Sequence, residues 1–163
     1  QTVQYDGDTK AMAALARQTG QDFEDGLLKM LSTYGSNGYF HFNAAHTCRV
    51  AGRTDLALYR YFHCALRQRG DAEAWALGIA SSIELGDAEL TAIGISTGYF
   101  YCGERLLSEY LRVVRPTGLD AEALGLWKQD VINMFRSTQR KENYSVTVRI
   151  NGEEAQQPAE FRL

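Results

Sequence analysis

Gly94-Ile95-Ser96-Thr97-Gly98 matches G-x-S-x-G, the pattern that holds a nucleophilic serine on a sharp strand-to-helix turn in α/β hydrolases. That fold orders its triad serine, acid, histidine, whereas His41, His46 and His63 all precede Ser96, and the chain has no room for the many strands of the sheet. A hydrolase using Ser96 stays open only because a triad can be assembled in another chain order. The same histidines, with Cys48 or Cys64, raise the question of a metal. Helical metal sites step four residues, or use tight C-x-x-C and H-x3-H pairs. Here the step is five, and His63 is expected near the far end of the neighbouring helix from His46, so no metal site and no cofactor is expected. Arg49, Arg53, Arg60 and Arg67 recur at helix-compatible steps among Tyr59, Tyr61, Phe62 and His63. Cations beside aromatic rings suit carboxylate, phosphate or single-stranded nucleic acid, and the plain alternative is a solvated face whose arginine stems cover apolar surface.

Composition narrows these options. A net charge of −3 over 163 residues gives no general attraction to phosphate backbones, so no nucleic-acid partner is expected. With 45% hydrophobic and 23% charged residues the chain reads as an ordinary globular domain with a core. No apolar run approaches the ~20 residues of a membrane span. The expectation is a soluble protein, cytoplasmic or exported with its leader removed. Cys48, Cys64 and Cys102 lack C-x-x-C spacing, and each falls on an expected helix among apolar neighbours, as small buried residues do.

The elements that must position these groups are mainly helical. Thr9–Gln18 is alanine-rich, and Gln21–Thr33 carries Phe23, Leu27, Leu28 and Leu31 at helical spacing. Tyr34 to Gly38 reads as a loop. Asp71 is placed to cap a helix bearing Trp75, Ile79 and Ile83 on one face. Leu107, Tyr110, Leu111 and Val114 form a stripe that Pro116 ends, and Leu124, Trp127, Val131 and Phe135 form another. Ala88–Cys102 is ambiguous, because Thr91, Ile93, Ile95 and Thr97 alternate with smaller residues in a strand rhythm. It is assigned as helix on the repeat argument below, with Gly94 and Gly98 letting a neighbouring helix come close. In the tail, Val146, Val148 and Ile150 alternate with polar residues before Asn151-Gly152, a two-residue hairpin signal. A domain over 1–140 and a β-ribbon over 141–163 are expected. A ribbon alone is marginal, so it is expected to lie on the helices or to join a second copy as a homodimer contact. Asn143-Tyr144-Ser145 fits a glycosylation sequon.

Four glycines organise the helical part. Gly52 and Gly86 are 34 residues apart, Gly20 lies 32 before the first and Gly118 lies 32 after the second, a self-similarity that marks stacked supersecondary units. Ala57 and Tyr61 follow Gly52 by five and nine residues, Cys64 fills the next small position, Trp75 precedes Gly86 by eleven and Gly98 follows it by twelve. On these residues the central third of the chain resembles tetratricopeptide repeats, which are antiparallel helix pairs of 34 residues. His41 stands where that family has an aromatic, Thr91 where it has a small residue, and no proline closes either unit.

The resemblance implies about seven to eight helices in stacked hairpins, with a C-terminal β-hairpin appended. It also implies a concave groove lined by the first helix of each pair. Carried over residue by residue, Tyr39, Phe42, His46 and Arg49 line the first unit, and Glu73, Ala76, Ala80 and Ile83 line the second. An aromatic, an imidazole and an arginine together suit a peptide carboxylate or acidic side chain. The function expected is therefore a non-enzymatic interaction module (chaperone, adaptor, scaffold or neutralising partner) binding a peptide or protein, with Tyr39, Phe42, His46, Arg49 and Glu73 as the contact residues. The alternatives are a globin-like helical domain holding an apolar ligand or tetrapyrrole, and the Ser96 hydrolase.

Overall fold

The computed structural model describes residues 12–34 and 38–139, together with the backbone of 146–150 and 153–157. Tyr39 is described by its backbone alone. The loop expected from Tyr34 to Gly38 is shorter than that, since both of those residues are helical; residues 35–37, the sequon and the Asn151-Gly152 turn lie outside the described residues. Those residues are mainly helical, as expected. After a helical stretch at residues 12–15 come α1 (Gly20–Tyr34), α2 (Gly38–Val50), α3 (Thr54–Arg67), α4 (Ala72–Glu84), α5 (Ala88–Cys102), α6 (Arg105–Val113) and α7 (Ala121–Gln139). In the tail, β1 (Val146–Ile150) and β2 (Glu153–Gln157) are paired antiparallel from Val146 opposite Gln157 to Ile150 opposite Glu153.

The connections explain the order of packing. After α2 the amide of Gly52 donates to the Arg49 carbonyl at 3.0 Å and that of Arg53 to the Cys48 carbonyl at 2.8 Å. After α4, Gly86 donates to Ile83 at 3.0 Å and Asp87 to Ser82 at 2.9 Å. These are the paired bonds of one helix-ending motif, whose central residue must be left-handed. Gly52 and Gly86 sit there at φ 77° and 73°. Gly20 and Gly118 share the positive φ, at 55° and 80°, without the paired bonds. Asp71 and Asp87 cap the starts of α4 and α5, accepting from Ala74 N at 3.1 Å and Leu90 N at 3.0 Å. With turns this short, successive helices become packing partners. α2 lies on α3, α3 on α4, α4 on both α5 and α6, and α5 on α7.

Two apolar clusters result. One joins Met12 and Leu15 to Phe23 and Leu27 of α1, Phe40, Ala44 and Cys48 of α2, and Ala57 and Tyr61 of α3. The larger is centred on Phe62, Trp75, Ile79 and Ile95 and extends to Leu106, Val131 and Phe135. Phe42 and Val113 pack against both.

Ala88–Cys102 is one continuous helix. Its strand-like alternation has a packing cause: Thr91, Ile93, Gly94, Ile95, Thr97, Gly98 and Tyr99 are all buried, and a helix buried on most sides carries no apolar stripe for a period to reveal. Close approach at its glycines is as expected. A Cβ at Gly94 would stand 2.9 Å from Phe62 Cζ, and one at Gly98 would stand 2.9 Å from Leu106 Cδ2. Gly78 of α4 meets the same Phe62 ring, so the ring is held between two helices at positions where only hydrogen fits.

Candidate functional site

Phe42, His46 and Arg49 are spaced four and three residues apart on α2, the step that keeps side chains on one helical face. Tyr61 of α3 rises into that face. Its hydroxyl lies 2.9 Å from His46 Nδ1, and the rings of Phe42, His46 and Tyr61 meet edge to face with centroids 4.6 Å (Phe42–His46), 5.4 Å (His46–Tyr61) and 5.9 Å (Phe42–Tyr61) apart. Burial pushes the Tyr61 phenol up to about 12, against the pull of the Arg49 guanidinium, so the hydroxyl keeps its proton. Part of the His46 ring reaches solvent and part is covered by its neighbours. That desolvation first, and Arg49 second, hold its pKa below the ordinary value. A protonated, buried phenol must place its hydrogen on an acceptor, and of its two side-chain partners the Arg49 guanidinium can only donate, so Tyr61 donates to Nδ1 and the Nε2 hydrogen of His46 is left to donate elsewhere.

The charged groups bracket these rings. Arg49 is 38% exposed, and its nearest carboxylate, Glu84 at the end of α4, is 3.9 Å away and itself 54% exposed. So long and solvated a pair holds the guanidinium only weakly, and a hydrogen bond to the Tyr61 hydroxyl engages it as well. Glu73, in the first turn of α4, is half-buried, and its field raises the Tyr61 phenol and the Arg112 guanidinium on α6. No hydrogen bond or ion pair engages its carboxylate among the described residues. Tyr110 of α6 is buried, its pKa raised to about 12 by desolvation and countered by Arg49. The face therefore has contributions from α2, α3, α4 and α6, with a guanidinium at one end and a carboxylate at the other.

The structure brings Phe42, His46 and Arg49 together, and Glu73 acts on the same tyrosine; the Tyr39 side chain lies outside the described residues. Ala76 and Ala80 are corrected from groove lining to core, since both are buried, while Ile83 is exposed. Sequence reasoning treated Tyr61 as a packing aromatic and did not use its hydroxyl. The signal was available, because a buried phenol needs a polar partner and α2 offers His46. Ser96 stands in the middle of α5, so the strand-to-helix turn of a nucleophile elbow is not formed there. The arginine series divides by partner. Arg53 is clamped by Asp55 and Glu24 at 3.0 and 2.6 Å, while Arg60 and Arg67 turn to His41 and His63. Cys48 and Cys64 are buried, with thiols pushed up to about 11 and about 12 by desolvation, so neither is poised as a nucleophile. No group of three His, Cys, Asp or Glu side chains converges as a metal set among the described residues, and no helix there is long and apolar enough to cross a membrane.

Two clefts lie away from this face. One of about 560 Å³ lies between residues 14–18 and α1, and one of about 360 Å³ is bordered by Ile83, Thr91 and Met134. His46 and Arg49 bring the Phe42–Tyr61 face to solvent. Comparison with protein-family models, with curated proteins and with solved structures finds no match to this chain.

Proposed function

We propose that this chain is a non-enzymatic interaction module of stacked helical hairpins, similar in plan to tetratricopeptide repeats, that binds a peptide or protein segment across the face of α2, α4 and α6. The observation that carries the reading is the meeting of Phe42, His46, Tyr61 and Arg49 on one open face with a half-buried, unengaged Glu73 beside it. A rigid aromatic platform with one free imidazole N–H and a guanidinium held by the Tyr61 hydroxyl and a long, solvated ion pair recognises a carboxylate, and Glu73 recognises a basic group. The matching partner is an extended segment that carries an acidic group, or its own C-terminal carboxylate, and a lysine or arginine several residues away. The same helix-ending motif recurring 34 residues apart supports the repeat. The 141–163 ribbon is assigned to the same module, as an edge that rests on the helices or pairs with a second copy.

Selection of random peptides against the whole folded chain tests this. Enriched peptides are expected to carry the acid and base pair. Phe42→Ala and Arg49→Gln are each expected to weaken binding about tenfold, with Glu73→Gln affecting only the basic end and Tyr39→Ala tested beside them. Undiminished binding by folded Phe42, Arg49 and Tyr39 variants overturns the assignment of the face.

A further inference from the structure

On α3, Arg60, His63 and Arg67 recur at steps of three and four and so share one face, and His41 from the first turn of α2 lies against it. The imidazoles of His41 and His63 are stacked, 5.4 Å between centroids and 18° from parallel. Each meets a guanidinium through Nδ1: Arg60 Nη1 is 3.2 Å from His41, and Arg67 Nη1 is 3.1 Å from His63 and 3.3 Å from its carbonyl oxygen. A guanidinium can only donate, so both Nδ1 atoms accept and both rings carry their proton on Nε2. The tautomers follow from the donors.

Such a cluster presents donors and positive charge together. Among the described residues Arg49 reaches Glu84, Arg53 reaches Glu24 and Asp55, Arg112 reaches Glu109 and Arg136 reaches Glu104, while Arg17, Arg69, Arg105 and Arg115, which reach no acid, are exposed. Arg60 reaches no acid and is half-buried. The charged or titratable groups that act on it are the Cys48 thiol and Arg67, and burial is the main influence on it, lowering its pKa. A half-buried cation without a counter-charge is costly. His63 does not add to the charge, because desolvation, then Arg60, His41 and Arg67, push its pKa down to about 3. His41 and Arg67 have further interactions of their own, which leaves the Arg60 guanidinium and the His63 Nε2 hydrogen, both on half-buried residues, to meet a ligand.

We propose that Arg60 and His63, with Arg67 fixing the His63 tautomer and His41 stacked on its ring, form a binding site for a small multiply charged oxyanion of the phosphate class. The site is separate from the Phe42–Tyr61 face. It suits a ligand with several acceptor oxygens, and it provides a fixed positive charge with a neutral N–H that stays neutral through physiological pH.

The test uses the whole chain at pH 7, titrated with inorganic phosphate or sulfate against sodium chloride at matched ionic strength, with nitrogen-15 spectra of the imidazoles. The expected result is a saturable shift of the His63 Nε2 resonance and a rise in Tm beyond that given by chloride, with the dissociation constant raised about tenfold or more in Arg60→Gln. Shifts no larger than with chloride overturn the proposal, as do equal shifts around Arg49 and Arg53 or an unchanged dissociation constant in Arg60→Gln. If Arg60→Gln does not fold, the wild-type spectrum still decides. A His63 ring that is charged at pH 7, or protonated on Nδ1, removes the site's chemistry.

Discussion

The pairs α2/α3 and α4/α5 turn through the same two hydrogen bonds around Gly52 and Gly86, and they fill the space between their helices in opposite ways. The first seam holds polar rings and guanidinium groups: His41 on His63, His46 on Tyr61, Arg60 and Arg67 at the imidazole nitrogens. The second holds glycine, alanine and small hydroxyls, with Ser82 and Thr91 hydrogen-bonded at 2.6 Å and the Phe62 ring wedged against Gly78 and Gly94. One seam is closed around the Phe62 ring, with a cleft only toward its Gly86 end. The other leaves donors at both its faces. A recurring turn thus sets the spacing of the helices without setting what lies between them, and the polar and charged groups collect in the first seam.

The comparison breaks most readily at the tight seam. Gly94→Val places carbon atoms where Phe62 Cζ is 2.9 Å and Ile79 Cγ1 is 3.1 Å from the new Cβ. A destabilisation of about 3 kcal/mol is expected by denaturant titration. A cost below about 1 kcal/mol in that titration shows that the seam has slack.

The polar seam is sharpened by acid. The His63 pKa is pushed down to about 3, first by desolvation and then by Arg60, whereas in the unfolded chain it is about 6.5. Between these values the unfolded state binds the extra proton, so stability is complete above about pH 6.5 and falls as pH drops toward 3, by up to about 1.4 kcal/mol per unit. Unfolding followed from pH 7 to 5 reads this slope, and His63→Gln is expected to flatten it. A slope unchanged in that variant assigns the acid sensitivity to other groups.

The smallest effect tests the likeness itself. Gly52→Ala and Gly86→Ala each force a Cβ into a left-handed backbone with no other atom within 4 Å, so both are expected to cost about 1 kcal/mol from backbone strain alone. Thermal unfolding of the two variants should shift alike, and a twofold or greater difference means that the turns differ in more than sequence position.

Helix placement was largely legible in the residues. The Asp71 cap, the stop before Pro116, the positive φ at all four turn glycines and the close approach at Gly94 and Gly98 are local or steric facts that a side chain's absence or ring announces. Gly103 was not anticipated. It too has positive φ, at 60°, and its amide donates to the Tyr99 carbonyl at 2.8 Å, but it lies off the 34-residue period. Leu28 and Ile83 sat on apolar stripes and are 64% and 41% exposed, because periodicity marks a face without saying whether a neighbour reaches it.

For the candidate site, the sequence alone determined which residues share a face of α2. A step of four or three aligns Phe42, His46 and Arg49, and a step of five turns His41 about 140° from His46. The partners each face would meet were decided only when α3 packed across it, placing the Tyr61 hydroxyl on His46 and the His63 ring on His41. Backbone periodicity is a property of one helix. The hydrogen bonds, burial and fields that make an imidazole neutral or a phenol a donor belong to a pair of helices, and exist only at the crossing their side chains select.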